Sequence, residues 1–445
     1  MSNTTSLLFH TVPPTMPPID YHRAAAVTQT LHENLVENLD VPSNLDRRTI
    51  LKSLGGIAAA GGAMAGASTS AGASPDHEEL ENYGFTEHGN FGDVGEYRDE
   101  DFDPHEFLTS FNTGRSGQDN VEQEVYEEQV YGERRTVRHF QFTAVDTYIT
   151  VAPGVKFLAW AFNGQIPGPT IRAIEGDLIR VTFNNLGAHA HTIHPHVKNI
   201  DSAMDGIPAT GPGVLDAEDD PFTYEWIAQP AGCHLYHCHS LPLKEHIHRG
   251  LYGVIVVDPD PERVRENPRD YVNYHGPITT GLREELVEIA KTRNHEYAEN
   301  DSINEMVVVM NGFDTNFDGD NEIYAANTRA FAYMVDSDGK GNWNPGETFH
   351  PITIDKNQRQ RVYLMNPLEF DLINSFHTHS QFFDYYDHGT TLLPTHRNID
   401  TVMQCQAQRG IIELDYSDHQ PGLYMFHAHQ SEFAELGWMS FFEVV

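Results

Sequence analysis

Cysteine is scarce in this 445-residue chain: Cys233, Cys238 and Cys405 are too few for a disulfide framework. Cys238 sits between His237 and His239, which leaves Cys233 and Cys405 as a single bridge or as two buried small residues. Basic residues are few as well. Lys plus Arg number 28 against 65 Asp plus Glu, a formal net charge of −37, which excludes nucleic acid and an anionic membrane surface as partners. The acidic residues are spread over the whole chain, as suits a halophilic protein kept soluble in high salt, where ions screen self-repulsion. Long apolar runs are missing, so no membrane span is expected in the mature chain. Histidine, by contrast, is plentiful at 26 residues, and its clustering in H-x-H pairs is informative.

Residues 1–74 form an N-terminal extension. Arg47-Arg48-Thr49-Ile50-Leu51-Lys52 precedes a short Gly/Ala-rich apolar stretch that ends at Ala71-Gly72-Ala73. A positive region, a short apolar core and a small-residue end mark an export signal, and the Arg pair resembles a twin-arginine signal. The protein is thus expected outside the cytoplasm, extracellular or in the cell envelope. Residues 75–125, dominated by Asp, Glu, Gly and Asn, cannot bury enough apolar surface to offset ordering and predict a mobile acidic spacer.

From there the pattern is all-β. Alternating runs over 140–151 and 156–162, the turn residues Asn163 to Pro169, and further runs over 176–183, 235–238 and 251–257 predict one β-sandwich over 126–258. His191 to His196 is expected on another strand and its exit loop. Residues 259–300 read as a linker with one short helix, from Leu282, Leu286 and Ile289 at helical spacing. Strand patterns resume over 306–310, 361–366, 410–414 and 437–445, predicting a second sandwich over 301–445.

Four H-x-H pairs carry the chemistry: His194/His196, His237/His239, His377/His379 and His427/His429. On a strand, residues two apart share a face, so each pair can present two imidazoles to one centre. Two pairs fall in each half in matching order, which implies an internal duplication. One pair straddles Cys238, and one thiolate with two imidazoles in a trigonal set suits a blue copper centre.

Phe162-Asn163-Gly164-Gln165-Ile166-Pro167-Gly168-Pro169-Thr170 resembles the first-domain signature of multicopper oxidases, and the HTIHPH run from His191 and the HCH run resemble that family's copper motifs. The resemblance covers roughly residues 136–445. It implies two cupredoxin-like Greek-key domains, type 1 copper in the first only, and a laccase-like enzyme. Such an enzyme couples one-electron oxidation of a phenol, an aromatic amine or a metal ion to the reduction of O2 to water. Carried over by motif, His191, Cys238 and His246 would hold type 1 copper, with Leu251 at the axial position. His194 and His377 would hold type 2 copper, and His196, His237, His239, His379, His427 and His429 the type 3 pair. The resemblance thus implies about four coppers per chain. Ala428 stands where the first half has Cys238, as in two-domain relatives that are homotrimers with clusters between chains.

His248 rivals His246, since the spacing from Cys238 is longer than usual; His246 is preferred because Leu251 lies five residues beyond it. Asp205 and Asp384 are candidates to deliver protons, and Glu245 to hold the His246 ring or dock a cationic reductant. Asp314 to Asp320 and Asp336 to Glu347 resemble calcium loops but depart at ligand positions, Ala325 at the twelfth of one and Lys340 at the fifth of the other, and read as acidic turns. Copper nitrite reductase is the alternative within the same fold, but it needs fewer His than the four pairs provide. A non-enzymatic copper or electron-transfer protein is the alternative in another class.

Overall fold

The computed structural model describes residues 123–152, 155–297, 303–328, 330, 336–337, 343–344 and 351–445. The expected signal lies outside the described residues, as do most of the acidic spacer and most of the second acidic loop. Among the described residues no helix is long and apolar enough to cross a membrane.

The first half is two sheets. One runs β1 (Gln123–Val130), β2 (Glu133–Ala152), β5 (Leu178–Asn185), β7 (Phe222–Ile227), with β3 (Val155–Phe162) also paired to β2; the other runs β4 (Ile171–Ile174), β9 (Tyr252–Asp258), β8 (Gly232–His237), β6 (His194–Pro195). β1 takes in the last three residues of the expected spacer, because Gln123 to Val130 hairpins with β2 through Tyr131-Gly132. The expected strand over 191–196 shrinks to His194–Pro195, with His191 held by a lone bridge to Leu215. The Asn163-Gly164 turn takes positive φ at both residues, 53° and 72°, which Asn and Gly tolerate. Beyond it, a Cβ at Gly168 would lie 2.5 Å from Tyr236 Oη, the hydroxyl that donates to Pro169 O.

A connecting segment follows with helices α2 (Pro261–Glu266) and α3 (Thr280–Arg293), after the short α1 (Leu243–His248) inside the first half. Thr279 caps α3 by accepting from Leu282 N, and Leu286, Val287 and Ala290 are its buried stripe. The second half has β10 (Ile303–Phe313), β11 (Ile323–Ala326), β12 (Asp336–Ser337), β13 (Trp343–Asn344), β14 (Ile352–Ile354), β15 (Arg359–Met365), β16 (Ile373–Thr378) and β17 (Phe383–Asp387). It ends with β18 (His396–Ile399), β19 (Thr401–Cys405), β20 (Arg409–Leu414), β21 (Gly422–His427), α4 (Ser431–Glu435) and β22 (Met439–Val444). Its two large sheets are ordered β11-β10-β15-β20-β17-β18 and β14-β22-β21-β16-β19, while β12 and β13 pair apart.

Each half encloses its own core, and a third core joins them. Along β8 and β9, Tyr236, Ile255 and Val257 face inward with Trp226 and Phe140, while Cys233, Leu235, Val254 and Val256 face Val307, Val309, Met365 and Ile411 of the second half. Both faces of β8 and β9 are therefore covered, and every residue of these strands is buried. Cys233 is buried, Cys405 is exposed, and neither forms a disulfide. Burial pushes the Cys233 thiol up to about 12, so it behaves as a small apolar residue.

Candidate metal centres

Cys238 directly follows β8, inside the first core, and is wholly buried. Its Sγ lies 3.3 Å from His246 Nδ1 and 3.9 Å from His191 Nδ1, and the two ring nitrogens are 3.2 Å apart. Backbone N–H groups of Thr192 and Ser240 point at the sulfur from 3.4 and 3.5 Å, a setting that favours an anionic thiolate. Burial raises the Cys238 thiol, and those donors work against it. Burial also holds both rings neutral, His191 well below the usual range and His246 at about 4, so their lone pairs are free to ligate. Three soft or borderline donors converging in a dry pocket fit a copper ion.

Helix α1 decides between the two rival histidines. Positions two apart on a helix point to divergent faces, so His246 reaches Cys238 while His248 turns away. His248 Nε2 accepts from Asp314 N at 3.3 Å, and its ring packs on Phe157 and Phe370. Leu251 is fully buried and packs in the same core as Cys238, to whose N–H its carbonyl is bonded. Glu245 Oε1 accepts from Arg249 Nε at 3.0 Å, one helical turn on.

The paired histidines form two sets built alike. In the first, β6 and β8 put His194 opposite His237, and the His194 ring lies 5.1, 5.2 and 5.3 Å from those of His196, His237 and His239. In the second, β16 and β21 put His377 opposite His427, and the His377 ring lies 5.2, 5.3 and 5.0 Å from those of His379, His427 and His429. Nδ1 of His194, His237, His377 and His427 donates to the carbonyls of Asp205, Cys238, Asp400 and Ala428, which fixes these tautomers and frees Nε2. Thr192 Oγ1 accepts from His239 N, as Ser375 Oγ does from His429 N. Nε2 atoms face each other at 3.1 Å in His196/His237 and 2.9 Å in His379/His427. Burial depresses His196 to about 2 and His237 to about 3, again the ligand form. Each group of converging donors draws on one half of the chain only.

Asp205 also brings Oδ1 to 3.2 Å from His194 Nδ1. Asp384 does not approach the second set in this way; it accepts from Arg397 and Asn398 N. The residue that stands by His377 is Asp400, which sequence reasoning missed. Asn398-Ile399-Asp400 repeats Asn199-Ile200-Asp201 after the first His pair of each half, but Asp201 caps a turn and Asp205 is the residue beside His194, so the repeat gave no signal for Asp400. Asp314 and Asp318 converge with Glu322, at the ninth position of that loop, in the manner of an acidic turn satisfied by its own N–H groups.

Models of the family described as multicopper oxidase match residues 143–262 and 315–445, the stretches that carry both histidine sets and Cys238. The chain belongs to the multicopper oxidase family. A crystal structure of a multicopper oxidase shares 39% identity at a TM-score of 0.58, covering 78% of this chain and 98% of that one. Among curated proteins, copper-containing nitrite reductase of Neisseria meningitidis serogroup B is 29% identical over 216 residues, 47% of this chain and 50% of that protein. Copper resistance protein A of Escherichia coli is 33% identical over 120 residues, 27% of this chain and 19% of that protein. The chain spans about half the length of the first of these curated relatives and less of the second.

The first histidine set lines a cavity of about 570 Å³, which Glu369 and Lys244 also line. Burial pushes the Glu369 carboxyl from 4.5 up to about 7, against the pull of Lys244 and a hydrogen bond from Gln406. A raised carboxyl binds its proton better in the folded state. Its contribution is therefore fully present below about pH 4.5 and lost by about pH 7. Glu369→Gln should remove that slope from a plot of melting temperature against pH, and an unaltered slope would show that Glu369 titrates normally.

Proposed function

We propose that this multicopper oxidase is a laccase-like enzyme that oxidises a small-molecule or metal-ion reductant one electron at a time and reduces O2 to water. The observation that carries the reading is the pair of matching four-imidazole sets, one of them joined through the backbone to the single buried thiolate. His191, Cys238 and His246 would hold type 1 copper, with Leu251 in the axial position. His194 and His377 would hold type 2 copper, and the remaining six paired histidines the type 3 pair. Bound copper supplies the redox chemistry, one electron per reductant at the Cys238 set and four per O2 at the histidine sets.

The chain's own residues provide the path and the surroundings. Trp160 packs between the exposed His189 and the buried His246, with ring centroids 4.4 and 4.7 Å away, and so screens the thiolate set from water. Cys238 is bonded through the backbone to His237 on one side and His239 on the other, the shortest covalent route to the first set. Asp205, whose Oδ1 lies 3.2 Å from His194 Nδ1, would hand protons inward. Leu251 would offer bound copper no donor where a Met would, which would favour a high potential.

Neither histidine set is a whole cluster, and a homotrimer would complete each one between chains. The second set opens on a surface where Leu372, Ile373, Phe382 and Met403 are exposed, an apolar rim suited to a second copy. A His237→Ala chain co-expressed with a His427→Ala chain tests this. Sites shared between chains should recover about a quarter of full activity, since half the first sets and half the second sets are intact. Sites built within one chain would recover none.

O2 uptake with a phenol or Fe(II) by the copper-loaded protein tests the reaction. Nitrite turnover without O2 uptake would favour the second reading, copper nitrite reductase, which the similarity to the Neisseria enzyme supports. About four coppers per chain are expected for the oxidase and about two for the reductase. We further propose twin-arginine export, supported by Arg47-Arg48 and the small-residue stretch after it. Arg47→Lys/Arg48→Lys should retain the protein in the cytoplasm, read by fractionation.

A further inference from the structure

Beside the thiolate set lie two buried polar atoms that nothing described so far employs. Asp146, in β2, is 1% exposed; its Oδ2 accepts from Ala188 N at 3.1 Å, while its Oδ1 has no partner. His191 is completely buried; its Nδ1 faces Cys238 and His246, while its Nε2 has no partner. Both orphans lie beside Gly187. A Cβ on that glycine would lie 2.9 Å from His191 Nε2 and 3.0 Å from Asp146 Oδ1.

The two atoms are chemically complementary. With the Nδ1 lone pair committed towards Cys238, the neutral ring must carry its proton on Nε2 and becomes a donor there. An ionised carboxylate only accepts. Leaving either unmade in a dry interior costs the full desolvation of that group, so their adjacency is better explained by a bond than by two separate losses. The nearby cation Arg249 is occupied: its Nε donates to Glu245 and its Nη1 to Leu158 O. Trp160, opposite Asp146 in the β2–β3 ladder, covers the His191 ring at 5.6 Å.

We propose that Asp146 is the positioning residue for His191, its Oδ1 accepting the Nε2–H of that ring through at most one water, with Gly187 keeping the gap clear. The inference rests on the assignment of His191 to the thiolate copper site. A carboxylate behind an imidazole fixes the ring's tautomer and orientation and makes it a stronger ligand. It also adds negative charge beside the metal, which favours the oxidised ion.

Three variants of the copper-loaded full chain test this. Asp146→Leu removes the acceptor, Gly187→Ala puts a methyl between the two groups, and Asp146→Asn keeps the shape while removing the charge. Copper at the blue site should be held about 10–100-fold more weakly in the first two, measured by competition with a chelator. The blue absorption band and the electron paramagnetic resonance splitting should shift in both. The reduction potential should rise in Asp146→Asn and Asp146→Leu, a change that a merely structural role would not produce. Should Asp146→Leu or Gly187→Ala fail to fold, the isosteric Asp146→Asn stands alone, and an unchanged potential in it overturns the inference. A wild-type protein that is not blue would overturn the proposed copper site and this inference together. A blue wild type whose variants match it would overturn the inference alone.

Discussion

Cys238→Ser should give a colourless protein that no longer oxidises a phenol or Fe(II), yet still binds copper at its paired histidines. A serine hydroxyl is a poor ligand for copper and lacks the covalency of a thiolate, so both the visible absorption and the route to His237 and His239 are lost. Altering a residue that only supports a ligand costs about 10–100-fold, so removing the ligand itself should exceed 100-fold in O2 uptake. No other residue can substitute, because Ala428 occupies the matching place in the second half and Cys233 faces the opposite side of β8. Visible absorption, copper content and O2 uptake measured on one sample check this. Activity surviving without the blue band would mean that electrons enter elsewhere.

The second large effect is on stability. Where the two halves and α3 meet, Arg172 binds Asp258 at 3.0 Å and Glu305 at 3.0 Å, while Arg361 binds Glu305 at 3.1 Å and Glu413 at 2.9 Å. Tyr363 Oη donates to Glu305 at 2.7 Å, and His295 closes on Asp258. Arg361 is 2% exposed. Such a network contributes little over an apolar core of the same shape, but removing one partner strands charge in the interior. Arg361→Met should therefore cost about 3–5 kcal/mol, seen as a lower urea midpoint for unfolding. A loss under about 1 kcal/mol, the scale of an exposed pair, would show that solvent reaches the cluster.

The same network sets a limit at low pH. Burial pushes Glu413 up, but Arg361 and Arg293 outweigh it and hold the carboxyl at about 2. A depressed carboxyl contributes stability above its unfolded value of 4.5 and loses it as pH falls towards about 2. Glu369 runs the other way, so the two glutamates should bend the stability curve in opposite directions over adjacent ranges. Melting temperatures of Glu413→Gln and Glu369→Gln across pH 2–8 separate them.

Much of the site was legible in the chain before folding. H-x-H spacing is a local signal, because a strand puts alternate residues on one face whatever surrounds it, and each pair indeed lies at a strand end. The replacement of Cys238 by Ala428 is equally local. Less legible was the stretch after His239, where Ser240, Leu241 and Pro242 lead into α1 and lengthen the interval to His246. A six-residue helix with only two apolar residues, Leu243 and Ile247, is too short for its spacing to be told from chance in the sequence. The partner of Glu245 was hidden for a related reason: on a helix it is Arg249, four residues on.

By itself, then, the sequence determined the chemistry: one thiolate flanked by two imidazoles, four imidazole pairs in two like halves, and strands to carry them. Residue type and spacing of two are covalent properties that no packing can alter. Only the tertiary structure decided which distant groups share a site. It chose His246 over His248, placed Asp400 rather than Asp384 beside His377, and set Asp146 against His191 across Gly187. These contacts join residues 8 to 66 positions apart, and their partners are selected by how sheets stack and helices turn, which no local pattern records.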